Sequence, residues 1–361
     1  MSARDITAVG SAPTVGSLRP GFSIAGRRRR TLRFAGVTIA LALVVAALWV
    51  TTVMVGETWY GPDEVLGVIV GDFVPGASFD VGEVRLPRAI IGLLAGMAFG
   101  MAGTTSQTML RNQLASPDII GITSGASASA VFAITVLGWS PAGTGVNVLA
   151  VTCGLATALV IYLLSGSGRT QDGRLILIGI GVAAMFTSFI SYLQLQGNVY
   201  KAIDAMRWLS GSLGSADWNQ VPVLAGAMAV CGALLLVVGR DLGPLTLGEE
   251  TATGLGVPVD RTRLALVITM VALSAFATAA TGPIAFVSFL AGPMVARLIG
   301  QTDRSLLVPA ALMGAVIVLG CDLVARNLLP TSLPVGVVTG LMGAPYLIGQ
   351  LIRINRQGAS A

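Results

Sequence analysis

The sequence predicts an all-α polytopic membrane protein with about ten transmembrane helices, and three observations carry that prediction. Of 361 residues, 54% are hydrophobic and 11% charged, with mean hydropathy +0.82; a soluble globular chain holds about 25% charged residues. The apolar residues fall in unbroken runs near the ~20 positions that a helix needs to cross a bilayer core. These runs do not alternate apolar with polar residues, as the strands of a membrane barrel would.

The runs lie near residues 33–55, 87–107, 117–138, 146–165, 175–196, 219–239, 263–281, 284–300, 306–326 and 334–353, separated by polar breaks. The tail before them, residues 1–32, places Arg27, Arg28, Arg29 and Arg30 directly ahead of the first run. Lys/Arg excess marks the cytoplasmic side, so the tail is expected inside. The first run is as long as a full span and lacks a small-residue cleavage site, so it is expected to persist as a helix.

Between the first two runs, Glu57, Asp63, Glu64, Asp72, Asp80 and Glu83 make an acidic external loop. The second run opens on Arg85, Pro87 and Arg88; proline suits a first helical turn because it lacks the amide hydrogen. The two arginines, three positions apart, can project together into water and receive an acidic partner. Alternatively they snorkel to lipid phosphates or neutralise Glu83. Within the same run Gly96, Gly100 and Gly103 suit the close backbone approach on which helix packing in lipid depends.

After this run come Gln107, Thr108, Arg111 and Asn112, and the next begins at Pro117 and Asp118. Polar groups at a helix break in a membrane are costly unless protein or water satisfies them, so they often line a cavity. Ser116 and Asp118 equally suit helix N-caps. The longest internal polar segment, residues 240–262, follows the sixth run. It reads as short amphipathic helices broken by glycine, with Leu245, Leu247, Ala252 and Leu255 apolar and Glu249 and Glu250 exposed. It is either a handle for a soluble partner or a plain surface loop. Ten crossings return the tail, residues 354–361, to the cytoplasm, and only Arg85, Arg88, Lys201, Arg207 and Arg326 of the 22 basic residues then lie outside.

Cys153, Cys231 and Cys321 lie inside apolar runs, with no metal or disulfide spacing, and there is no histidine. A membrane enzyme therefore lacks reagents. An ion-coupled secondary transporter is a rival reading, but its expected mid-membrane carboxylate has only Asp118 and Asp322 as candidates, both near run ends.

Four ordered segments carry a resemblance: RLPRAIIGLLAGMAFGMAGTTSQTMLRNQLASPDIIGITSGA, LGEETATGLGV, GPIAFVSFLAGPMVARLIG and LPVGVVTGLMGAPYLIGQLI. Together they resemble the permease family of bacterial ABC importers for ferric siderophores and vitamin B12, the ferric-enterobactin type above all, over roughly residues 33–353. The resemblance implies a single permease domain of type II importer fold in the bacterial plasma membrane. It implies partners: a second permease subunit, expected to be a different chain, two ATP-binding subunits, an external binding protein and a ferric siderophore, with vitamin B12 or haem as alternatives. No nucleic-acid partner is implied. ATP would be used by the partner subunits, and no cofactor or metal is expected on this chain.

By the same resemblance, Arg85, Arg88 and Arg326 dock the binding protein, and Leu247, Gly248, Glu249, Glu250, Ala252, Leu255 and Gly256 contact the ATPase. Gln107, Thr108, Asn112 and Leu114 belong to the translocation pathway and gate. Two departures stand out. Gln113 occupies the centre of the family's Asn-Pro-Leu turn, which removes a stiff turn. Gly292-Pro293-Met294 replaces a Pro-His pair.

Overall fold

A computed structural model describes residues 20–118, 121–166, 171–300, 302, 304–328 and 331–358. Eight helices in it are long and apolar enough to cross a membrane, and two shorter apolar helices, Thr123–Leu137 and Val287–Ile299, fall at the remaining expected positions. No strand occurs among the described residues.

In chain order the helices are α1 (Pro20–Met54), α2 (Pro62–Val70), α3 (Ala77–Met109), α4 (Thr123–Leu137), α5 (Thr144–Ser165) and α6 (Gln171–Gln196). They continue with α7 (Val199–Leu209), α8 (Val221–Thr246), α9 (Glu249–Gly254) and α10 (Val259–Thr281). The last three are α11 (Val287–Ile299), α12 (Leu307–Asn327) and α13 (Val335–Gly358). Arg27 to Arg30 already lie within α1, so the basic tail is in part the first turns of that helix; residues 1–19 lie outside the described residues.

α3 forms the centre of the bundle, packed on α10, α11 and α12, and α1 leans on α12. Small residues make this possible. A Cβ on Gly96 would stand 2.6 Å from the Ala315 Cα, one on Gly100 would strike the Ala310 carbonyl, and one on Gly103 would strike the Ser288 carbonyl. Without those side chains the backbones touch and gain dispersion contact, which is what holds helices together where lipid is as apolar as leucine. By contrast α6, α8 and α13 keep large apolar faces uncovered, among them Leu177, Met185, Leu195, Val230, Val237 and Leu341. Such faces suit lipid or a second subunit.

Two expectations change. The two short helices do not start where the apolar runs do, because the chain first passes through buried non-helical turns that contain Ala115, Ser116 and Ile284. Irregular backbone is tolerated at depth only when protein covers it. The acidic stretch between the first two long helices is also no plain loop. It contains α2, whose Val65 packs with Val53, Ala77, Val81, Leu86 and Ala89 into a small core of its own.

Candidate functional site

At the end of the bundle that carries residues 55–86, α3 begins not at Pro87 but ten residues earlier, and it widens into a π-helical turn over Asp80–Arg85. Pro87 lacks an N–H to continue the regular ladder, and an expanded turn accommodates that loss. The turn aims Arg85 inward. Its guanidinium donates to the carbonyls of Val53 (3.3 Å), Met54 (3.0 Å) and Thr58 (2.8 Å), pairs with the Asp80 carboxylate and lies 4.9 Å from the Tyr60 ring centre. The first two carbonyls are among the last of α1, groups without helical partners that favour a cation. Gly56 is required beside it, since a Cβ there would fall 2.6 Å from the guanidinium.

The expectation that Arg85 and Arg88 project together into water is therefore corrected. Arg85 is 3% exposed, and its counterion is Asp80, not Glu83. Arg88 lies one turn further along and binds the buried Asp322 of α12 through two nitrogens, Nε at 3.1 Å and Nη2 at 2.7 Å. Arg326 approaches the same carboxylate at 3.2 Å, one turn along α12, and its Nη2 points to the Thr52 carbonyl of α1 at 3.4 Å. One carboxylate thus joins α3 and α12, and Arg326 extends the link to α1. The three predicted arginines do gather at one end, as structural ties.

At the opposite end α3 closes with Arg111 in the left-handed region (φ 48°). The Arg111 and Asn112 amides return to the carbonyls of Thr108 and Gln107, a Schellman closure. Asn112 Oδ1 then accepts from the Leu114 amide at 2.9 Å. This Asx turn gives the segment a local stiffness of the kind a central proline would supply. Gln113 is held in turn: its Oε1 accepts from Gln350 Nε2 of α13 at 3.0 Å.

Gln107, expected on the pathway, ties α3 to α11. It is buried, and its Nε2 donates to the Phe289 carbonyl of α11 at 3.0 Å. Phe289 stands four residues before Pro293, which has no N–H to offer it. The Gln107 amide supplies the missing hydrogen bond, and Gly292 leaves the room for it, since a Cβ there would meet Gln107 Oε1.

Thr108 lines a cavity of ≈ 820 Å³. Leu247 of the polar segment lines the same space, as do Arg240 and Arg304, neither of which sequence reasoning had singled out. The end of α3 and the start of the Leu247–Gly256 segment therefore meet here. The segment itself is rigidly built. Gly248 (φ 115°) and Gly256 (φ 86°) bracket α9 in conformations open to glycine, and the Gly256 and Val257 amides cap it through the Thr253 and Ala252 carbonyls. Ala252 is buried, whereas Leu247 and Leu255 are 65% and 63% exposed. Glu250 is exposed; the side chain of Glu249 lies outside the described residues.

The two carboxylates on which an ion-coupled transporter would have depended are both engaged. Asp322 is shared by Arg88 and Arg326, and Asp118, in the turn that leads to α4, hydrogen-bonds with Thr123.

The profile of the FecCD transport family matches residues 41–353 of this chain. The chain belongs to the FecCD transport family. Similar members include the Escherichia coli ferric enterobactin transport system permease protein FepG, 37% identical over 91% of this chain and 98% of that protein. The E. coli ferric enterobactin permease protein FepD is 35% identical over 77% of this chain and 83% of its own length. Among solved structures, a transporter described as of the metal-chelate ABC type, in an inward-facing conformation, superposes with TM-score 0.78 at 28% identity and covers 88% of this chain and 99% of that one.

Proposed function

We propose that this FecCD chain is the membrane-spanning permease subunit of an ATP-binding cassette importer that carries intact ferric siderophores into the bacterial cytoplasm. The family match over residues 41–353 carries the reading. It is supported by the names of FepG and FepD, two different permease proteins of ferric enterobactin transport, which favour a heterodimer with a second FecCD chain.

The segment Leu247–Gly256 would receive the ATPase subunits, with Leu247 and Leu255 as apolar contacts on a rigid turn. Closure of the ATPase pair would push on this knuckle, and the adjoining Leu242–Thr246 turns of α8, which pack on α3, would pass the displacement to the end of α3 at Thr108 and the Asn112–Leu114 turn. Both termini would be cytoplasmic. An external binding protein would land at the other end, on a surface shaped by Arg85 from within. Arg88 and Arg326 would reach an acidic partner by exchanging Asp322 for it.

Uptake of labelled chelates by cells that lack this chain and are complemented with it is the direct test. Iron and redox-inert gallium complexes of one siderophore should enter equally. Import of cobalamin alone would overturn the substrate, and exclusion of gallium would overturn carriage of the intact complex.

A further inference from the structure

Gly26, Arg29, Arg30 and Arg33 recur along α1 at the i, i+3, i+4, i+7 spacing that gathers residues on one helix face. With Leu32 and with Ile299, the last residue of α11, they line an open space of ≈ 830 Å³. Arg27 lies on another face and does not line it. Arg33 is fixed in place: its Nε donates to the Leu298 carbonyl at 2.9 Å, one of the last carbonyls of α11, where a cation is favoured. Gly300 turns left-handed (φ 75°) beside it, and a Cβ there would press on Arg33 Nη1 at 3.3 Å. Among the described residues neither Arg29 nor Arg33 is ion-paired, and no carboxylate lines the space. Its charge is of one sign.

The level of this space is that of lipid headgroups. Residues 34–54 carry no charge and complete the first span, so Arg33 marks the boundary of the apolar core. From Leu32, Gly36, Ile39 and Leu43 continue at i+4, i+7 and i+11 down one face into the bilayer, and Leu32, Ile39 and Leu43 are all more than half exposed. No atom stands within 4 Å of the place a Gly36 Cβ would take, so this apolar stripe is indented between Leu32 and Ile39.

We propose that the start of α1 and the end of α11 form a binding site for one anionic phospholipid of the cytoplasmic leaflet. The phosphate pairs with Arg29 and Arg33, and an acyl chain lies along Leu32, Ile39 and Leu43, over the indentation at Gly36. Charge and apolar surface select this occupant together. A free anion, or an acidic stretch of a soluble protein, answers the arginines and leaves the stripe bare. A zwitterionic lipid covers the stripe but brings no net charge to a space of uniform sign.

The full chain in neutral detergent, titrated with phosphatidylglycerol or phosphatidylcholine of the same acyl chains and weighed intact by native mass spectrometry, tests this. One arginine at a membrane surface favours an anionic lipid about fivefold, so the pair should give the glycerol lipid about a thirtyfold advantage at low salt. Raising ammonium acetate to about 0.5 M should remove most of it, because both cations are exposed and screened. Arg29→Gln, which breaks no hydrogen bond or ion pair among the described residues, should cut the advantage about fivefold, and its combination with Arg33→Gln should bring the two lipids within about twofold. Arg27→Gln removes the same charge from another face and should leave the native advantage. Gly36→Phe fills the indentation without touching a charge and should weaken both lipids alike. Equal retention of the two lipids by the native chain, equal losses from Arg27→Gln and Arg29→Gln, or unchanged binding in Gly36→Phe would each overturn the site. Glycerol phosphate and hexaglutamate, each at the lipid's concentration, should leave the lipid bound. Displacement by the first would make this a site for free phosphate, and displacement by the second a protein contact, and either overturns the lipid. Elution of each variant as a monodisperse peak separates misfolding from lost binding, and Arg29→Gln, which ties no two helices together, keeps the test decisive if Arg33→Gln unfolds.

Discussion

Arg85 illustrates how an arginine expected to project into water can be drawn inward by partners remote in the chain. Its guanidinium occupies the end of α1, and removing it strands Asp80 and three carbonyls. Asp80 is one-third exposed and regains water, but each buried carbonyl left without a donor costs about 1–3 kcal/mol, so Arg85→Met should lower the thermal unfolding temperature of the purified chain, with no binding protein present. A variant that unfolds normally yet docks poorly would restore the exposed role. The sequence shows an arginine at a helix entrance, but the partners that draw it inward are backbone carbonyls some thirty positions away, and carbonyls leave no trace in residue identity. The role of Asp322 was legible only in part, for a related reason. Its i,i+4 neighbour Arg326 is visible in the sequence, whereas Arg88, which holds it through two nitrogens, comes from another helix.

Helices were legible wherever burial in lipid dictates composition. The long apolar runs became α1, α3, α5, α6, α8, α10, α12 and α13, and the spacing of Gly96, Gly100 and Gly103 foretold a close approach without naming the partner helix. Less legible was the pairing of α3 with α11, because Gln107 and Pro293 lie 186 positions apart and each has an ordinary explanation alone. Together they form a repaired helix, in which a proline removes a donor and a glutamine from the neighbour replaces it. A double-mutant cycle tests this dependence directly. Gln107→Leu should destabilise the native chain by about 1–3 kcal/mol, the cost of an unsatisfied buried carbonyl. In a Pro293→Ala background, where the amide of the introduced alanine can serve the Phe289 carbonyl, the same change should cost less, with a coupling of at least about 0.5 kcal/mol. Strict additivity would mean that the amide contact is incidental.

At the scale of the whole molecule, the arginine cluster and the α9 knuckle occupy opposite ends of one bundle, and the importer reading needs them in different compartments. Basic residues supply the polarity: Arg27 to Arg30 enter α1 from the knuckle's end, where Arg33 also binds the Leu298 carbonyl at 2.9 Å, and Lys/Arg excess favours the cytoplasm. Arg85 is too buried to report its side of the membrane, but Glu83 is exposed two residues earlier and Leu255 is exposed on the knuckle. In a chain whose native Cys153, Cys231 and Cys321 have been replaced by alanine, Glu83→Cys should react in intact cells with a thiol reagent that cannot cross the membrane. Leu255→Cys should react only after the membrane is opened. An ATPase that engages the knuckle should further protect Leu255→Cys and leave Glu83→Cys unchanged. Reaction of both cysteines from one side would place motor and landing surface in a single compartment, and no rearrangement of gates within the bundle could then produce import.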